Sequence, residues 1–155
     1  LALLESRMPA QQGSAIVHGD YRLGNMITAH GRIQAVLDWE LCTLGDPLAD
    51  LGYLLNSWVN EDDAIAGVDD HLPTLAGGFP GRDELISAYA AASDRDLSNI
   101  NYYRAFSYWR IAAIRQGVYK RYVGGAMGAH GDVDVERIGD SVERCAAVAL
   151  SLLSN

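Results

Sequence analysis

Residues 17–50 read VHGDYRLGNMITAHGRIQAVLDWELCTLGDPLAD and hold the chain's densest set of groups able to do chemistry. Asp20, Asn25 and Asp38 fall at expected strand ends or in tight loops around an expected hairpin. Phosphoryl transfer asks little covalent chemistry of a protein. It asks for an oriented acceptor hydroxyl and for magnesium held against the β- and γ-phosphates. Magnesium wants oxygen ligands and takes only one or two carboxylates from the protein. An aspartate base, an amide oxygen five residues later and a second aspartate across the hairpin make up such a set.

The spacing is also that of a known motif. His18-x-Asp20-x4-Asn25 matches the catalytic-loop pattern H-x-D-x-x-x-x-N of the kinase superfamily, and Asp38 in Leu37-Asp38-Trp39 stands where a metal-binding aspartate follows the hairpin. The stretch HGDYRLGN followed by LDWELCTLGDPLADL resembles the aminoglycoside phosphotransferase and choline kinase-like family. Within it the chain is most similar to the phosphotransferase modules associated with acyl-CoA dehydrogenases, over about residues 14–58. The resemblance implies an ATP-dependent (or other nucleoside triphosphate-dependent), Mg2+-dependent transferase that moves the γ-phosphate to a hydroxyl of a small molecule. It implies Asp20 as catalytic base, Asn25 and Asp38 as metal and cofactor ligands, and His18 as the catalytic-loop histidine that braces the backbone without transferring protons. Asp46 and Asp50, in GDPLAD, are implied to cap a helix and tie it to the catalytic loop. Arg22 stands where many protein kinases place a lysine that meets the γ-phosphate. A guanidinium fork suits that role, and an ion pair with a nearby carboxylate is an equal alternative.

Other residues carry weaker signals. Asp46 before Pro47 reads equally as a plain N-cap. Glu40 is expected as a solvated loop carboxylate and Trp39 as a core side chain. His30, His71 and His130 have no partner at metal spacing and are expected at the surface. The acidic run Glu61 to Asp63 with Asp69-Asp70 reads as a solvated loop able to line an acceptor pocket.

The elements that must position these groups are legible in outline. Residues 1–8 read as the end of a helix stopped near Pro9, and Ala15 to Val17 as a short strand. Asn25 to Thr28 and Arg32 to Leu37 flank His30-Gly31 as a β-hairpin. Asp46-Pro47 opens a helix with Leu48, Leu51, Leu54 and Leu55 at helical spacing, and 59–81 reads as a long surface loop. Helices are expected at about 82–92, 98–122 and 133–153. The middle one carries two apolar stripes, Tyr102, Phe106, Trp109, Ala113 and Ile111, Ile114, Val118, Tyr122, which predict a helix buried on most sides. The fold class is α+β: the mostly helical C-terminal lobe of a protein-kinase-like fold, with a short hairpin bearing the catalytic and metal-binding loops.

Bulk composition narrows the classes further. The chain has 155 residues, 49% hydrophobic and 21% charged, enough for one domain with a core. A net charge of −8 disfavours nucleic acid as a partner. No apolar run is long enough to span a membrane. Cys42 and Cys145 lie far apart and read as free thiols of a cytoplasmic protein. Kinase chemistry also needs a glycine-rich phosphate cover and a strand lysine, and the single lysine, Lys120, follows the metal-binding motif in chain order. Residues 1–155 are therefore expected to be a partial phosphotransferase domain whose nucleotide-binding N-terminal lobe lies upstream. Leu3, Leu4, Tyr102, Phe106 and Trp109 are expected as an apolar face covered by that lobe or by a second copy. A non-catalytic pseudokinase or interaction module and a Mg-dependent hydrolase are the alternatives.

Overall fold

A computed structural model of the chain describes residues 1–60, 63, 73–126 and 133–154. The element order is α1 (Ala2–Ser6), β1 (Ala15–Val17), β2 (Met26–Ala29), β3 (Arg32–Val36), β4 (Thr43–Gly45), α2 (Leu48–Ser57), α3 (Arg82–Ala92), α4 (Ile100–Val123) and α5 (Val135–Ser154). Among the described residues the strands make two antiparallel pairs, β1 with β4 and β2 with β3. The hairpin turn falls on His30 and Gly31, both at positive φ (52° and 69°) between the paired Ala29 and Arg32. Two successive left-handed residues match the right-handed twist of the flanking strands. β4 carries no strand signal of its own: three residues are too few for an alternation to show, and pairing with β1 supplies the order.

The helices bury two apolar clusters. Leu4 of α1 packs with Ala105, Tyr108 and Ala112 of α4 and with Cys145, Ala149 and Leu153 of α5. The buried positions of α5, Ser141, Cys145, Ala149 and Leu153, recur every fourth residue, which keeps one stripe turned to α4. A second cluster joins Leu48, Leu51 and Leu55 of α2 to Ile100 and Tyr103 of α4, with Leu85, Ile86 and Tyr89 of α3 against it. Leu48 and Leu55 are 0% exposed, a burial that stabilises by roughly 1.5–3 kcal/mol per side chain. α2 and α4 can approach this closely because position 52 is glycine. A Cβ there would lie 2.7 Å from the Tyr103 carbonyl carbon and 2.9 Å from the Arg104 nitrogen.

Asp46 caps α2: its Oδ1 accepts the Leu48 N–H at 2.9 Å while Pro47, already at helical φ −60°, needs no partner. The far end of α2 is closed by Arg82, whose guanidinium donates to the Leu55 and Trp58 carbonyls and pairs with Asp63.

Three expectations fail on burial. α4 is buried on most sides only in its first half: Ile114 is 61% exposed, because α5 and α2 together cover just the face of Tyr103, Ala105, Tyr108 and Ala112. Leu4 is buried, and Leu3, Tyr102, Phe106 and Trp109 pack around the α4–α5 cluster, so they form no bare apolar face. The exposed apolar residues Ile16, Ile27, Ile33, Leu37, Leu41 and Leu44 gather instead on the strands and the loop after β3. Trp39 is 47% exposed and lies outside the core. Of the expected loop at 59–81, the described part includes a 3-10 turn at Pro73–Ala76. His30 and Glu40 are exposed, whereas His71, His130, Glu61, Asp62, Asp69 and Asp70 lie outside the described residues.

Candidate active site

β1 ends at Val17 and hands the chain to a loop, His18–Asn25, that must hold a non-regular backbone against the helices. His18, 1% exposed, has both ring nitrogens committed to backbone: Nε2–H donates to the Leu37 carbonyl at 2.7 Å, and Nδ1 accepts the Asp20 N–H at 3.1 Å. The two partners fix the tautomer, and a ring so engaged braces the loop against the residue before Asp38. Gly19 follows at φ 84°, where a Cβ would lie 2.8 Å from the Leu41 carbonyl oxygen, so only glycine fits.

Asp50 of α2 takes the N–H groups of His18 and Gly19 on its two carboxylate oxygens, the latter at 2.9 Å. Asp46 does not reach this loop. Its Oδ2 accepts from the Gln12 N–H at 2.7 Å and the Tyr103 hydroxyl at 2.8 Å, so it joins α2 to α4 and to the segment before β1. The implied pair of tethers is thus divided between Asp50, on the catalytic loop, and Asp46, on the helix frame.

The Asp20 carboxylate faces a ring of donors. Asn25 Nδ2 donates to its Oδ2 and also to its backbone carbonyl, each at 2.8 Å, and Arg22 Nε sits 3.4 Å from the same Oδ2. Tyr53, from α2, lies on the same side and influences the charge of the carboxylate. Burial pushes the Asp20 carboxyl up, but Tyr53, the bond from Asn25 and the Arg22 guanidinium outweigh it and hold the group below the ordinary carboxylate value. Tyr53 is pushed the other way, up to about 12, by burial and by the neighbouring Asp20 carboxylate. The Arg22 ion pair with a carboxylate is therefore present, and the carboxylate is Asp20 itself.

Asn25 is buried, and the commitment of its amide nitrogen to Asp20 leaves the amide oxygen as the atom able to meet a cation. Its backbone carbonyl accepts the Leu37 N–H at 2.8 Å, which brings the β3 exit alongside. Asp38 then adopts left-handed φ 67° and ψ 52°, uncommon for a non-glycine residue and characteristic of functional loops. Its side chain is exposed, and the Trp39 indole stacks obliquely 4.8 Å from the His18 ring. Among the described residues there is no group of three or more His, Cys, Asp or Glu able to enclose a metal. Magnesium of the nucleotide-bridging kind needs none, since phosphates and water complete its shell. One amide oxygen and one carboxylate on neighbouring loops fit that requirement.

Beside the loop runs a cleft of about 1070 Å³ between the hairpin and α2–α3, walled by Trp39, Leu51, Leu54, Trp58, Phe79 and Tyr89. His18, Tyr21 and Gly24 line its near end, whereas Asp20, Asn25 and Asp38 do not line it.

Residues 1–100 match the family model described as "Phosphotransferase enzyme family". The chain belongs to this family. Among relatives of the family member, acyl-CoA dehydrogenase family member 10 of Mus musculus is 40% identical over 127 residues, 79% of this chain and 12% of that protein. Acyl-CoA dehydrogenase family member 11 of Mus musculus is 34% identical over 155 residues, 97% of this chain and 19% of that protein. The chain thus spans less than a fifth of the length of these two relatives. A crystal structure from Ralstonia eutropha, of a protein assigned as an aminoglycoside phosphotransferase, superposes with TM-score 0.71 at 34% identity, covering 99% of this chain and 46% of that one. The α+β arrangement is therefore that of a phosphotransferase with a kinase-like fold. Tyr53, Arg110 and Tyr103 are the site and frame residues that sequence reasoning missed. Only Tyr53 left a trace, three residues after Asp50 on the same face of α2.

Proposed function

We propose that this family member is an ATP- and Mg2+-dependent small-molecule kinase, in which Asp20 accepts the proton of an acceptor hydroxyl as the γ-phosphoryl group is transferred. The observation that carries the reading is the junction at Asn25. Its amide nitrogen holds Asp20 while its backbone carbonyl holds the strand end that leads into Asp38. One residue thereby ties the proposed base to the strand end that precedes Asp38. Asp20 is kept ionised by its donors, as a base must be. Asn25 and Asp38 would hold the magnesium, which when bound neutralises charge on the β- and γ-phosphates. Arg22, half-exposed and paired with Asp20, would offer its guanidinium fork to an incoming phosphate.

The acceptor is a small molecule bearing a hydroxyl; the likeness to acyl-CoA dehydrogenase family members favours a hydroxylated acyl compound or another small metabolite over an aminoglycoside. Lys120 lies near the end of α4, so the lysine for the α- and β-phosphates and the glycine-rich cover would come from an N-terminal lobe outside residues 1–155. Among the described residues no helix is long and apolar enough to cross a membrane. Both cysteines are free thiols, which suits a reducing compartment such as the cytoplasm.

Calorimetric titration of the full-length protein with ATP tests the metal roles. Affinity should depend on magnesium and fall in Asp38→Asn, which removes an anionic ligand. Magnesium-independent binding, or an unchanged Asp38→Asn variant, would refute the assignment. Phosphorus NMR of reactions with a panel of hydroxylated acyl compounds tests the transfer: free phosphate as the sole product throughout would replace the kinase with a hydrolase, and no product at all with a pseudokinase.

A further inference from the structure

The peptide plane that leads into Asp20 is held on both of its edges. This plane joins Gly19 to Asp20, and its N–H donates to His18 Nδ1 at 3.1 Å. Its carbonyl, that of Gly19, accepts from Nη2 of Arg110, on α4 and 91 residues away in the chain. The preceding plane is held too, because the Gly19 N–H donates to Asp50 Oδ1 of α2 at 2.9 Å. Glycine has the freest backbone of any residue and no side chain to pack. Bonds to its N–H and C=O are therefore what can remove that freedom here. Arg110 makes its bond at a cost. Its Nε is buried with no hydrogen-bond partner among the described residues, an arrangement that calls for an explanation wherever it occurs. Its guanidinium carbon stands 4.8 Å from the centre of the Tyr53 ring, so one face rests on α2 while an edge reaches the loop.

We propose that Arg110 is a positioning residue of the catalytic loop, which by holding the Gly19 carbonyl fixes the plane of the Gly19–Asp20 peptide and so the direction in which the Asp20 side chain leaves the backbone. A peptide unit is rigid and turns as one piece. Bonds at its two opposite edges, from His18 and from Arg110, resist that turn together. With the carbonyl released, the plane can rotate about the line joining its two Cα atoms, and the Asp20 Cβ moves with it. An ionised donor makes the bond stronger than a neutral one would be. Lysine is no substitute, since a compact ammonium cannot lie flat on the Tyr53 ring and reach the carbonyl at once. Asp50 and Arg110 hold neighbouring peptides from different helices, so the loop takes its place from the crossing of α2 and α4. The inference rests on Asp20 being the base, and the two are separable by experiment.

The test uses the full-length protein, two variants and two readouts. Arg110→Met keeps an apolar stem against Tyr53 and loses every donor; Arg110→Lys keeps the charge. The first readout needs no turnover: amide hydrogen exchange, followed by mass spectrometry, of the segment 18–25. It should quicken about 10-fold or more in Arg110→Met, with exchange in α5 and the melting midpoint unchanged. The second is phosphate release from MgATP with water as acceptor. There kcat should fall about 10- to 100-fold, the order expected of a small misalignment, with KM for MgATP unchanged. Arg110→Lys should not recover the wild-type value of either readout, and it carries the same reading if Arg110→Met fails to fold. Wild-type exchange in segment 18–25 of both variants would overturn the proposal. So would exchange raised equally in α5, which marks a general loss of packing, or a wild-type kcat beside a loosened loop. If Asp20→Asn keeps full turnover while Arg110→Met loosens the loop, the base assignment fails and the hold of Arg110 on the loop stands.

Discussion

At the scale of single residues, the arrangement separates groups that react from groups that brace. His18 is buried with both nitrogens bonded to backbone, and a histidine in that state has no lone pair or proton to offer a substrate. Asp20 has donors from Asn25 and Arg22 on its carboxylate and remains partly accessible. Asp20→Ala in the full-length protein should therefore lower kcat by about 10²–10⁴-fold, the usual worth of a positioned base, while magnesium–nucleotide affinity stays near wild type. The pH profile follows from the direction of the shift. A carboxyl held below its ordinary value of 3.8 keeps its charge as pH falls and loses it only below that value. Protonation of Asp20 should thus cause no loss of kcat between pH 7 and pH 5, measured with saturating MgATP. A one-proton decline centred in that window would contradict the ring of donors around it.

Among the elements, the contact of α2 with α4 decides where the site sits. Asp50 and Tyr53 project from α2 to the catalytic loop, and Arg110 projects from α4. Their mutual spacing depends on a crossing so close that Gly52 touches the Tyr103 backbone. In Gly52→Ala the added carbon would meet main-chain atoms at 2.7 and 2.9 Å, which a rotamer change cannot relieve. Urea denaturation should show a loss of about 1–3 kcal/mol, the ordinary cost of overpacking. Turnover should fall too, because the helices carry Asp50, Tyr53 and Arg110 apart. Unchanged stability would mean that α2 and α4 approach less closely than this. The Tyr103 hydroxyl bond to Asp46 reinforces the same crossing, and burial together with that bond raises the Tyr103 phenol well above its ordinary value.

The whole molecule presents an apolar surface at its strands. Ile16 of β1 and Leu44 of β4 face each other across the pair and are 69% and 74% exposed. Cross-strand neighbours of this kind form a continuous patch, and exposed patches of that character favour association. The 155-residue chain alone should bind a hydrophobic dye and scatter light as more than a monomer. Replacing the pair with opposite charges, Ile16→Lys with Leu44→Glu, should abolish both signals without lowering the melting midpoint. A dye-silent monomer in the unsubstituted chain would refute this surface as an association site.

The sequence by itself determined the local features. The spacing of His18, Asp20 and Asn25, the His30-Gly31 turn, the Asp46-Pro47 start of α2 and the span of α3 depend on neighbours a few residues apart, and their physical causes are short-ranged: turn dihedrals, caps and periodicity. Tertiary structure alone decided the rest. Whether Tyr102, Phe106 and Trp109 are bare or covered depends on α5, whose packing residues from Val142 onward lie far along the chain. Trp39 leaves the core because its indole N–H bonds back to Val36 and its ring rests on His18. Asp46 and Asp50, both candidates for the loop, divide their work because Asp46 stands ahead of α2 as its cap, against Tyr103 and Gln12, whereas Asp50 lies in its first turn, against His18 and Gly19. Arg110 has no sequence signal at all, since an arginine on a helix declares nothing about the carbonyl it will meet until the helices are packed.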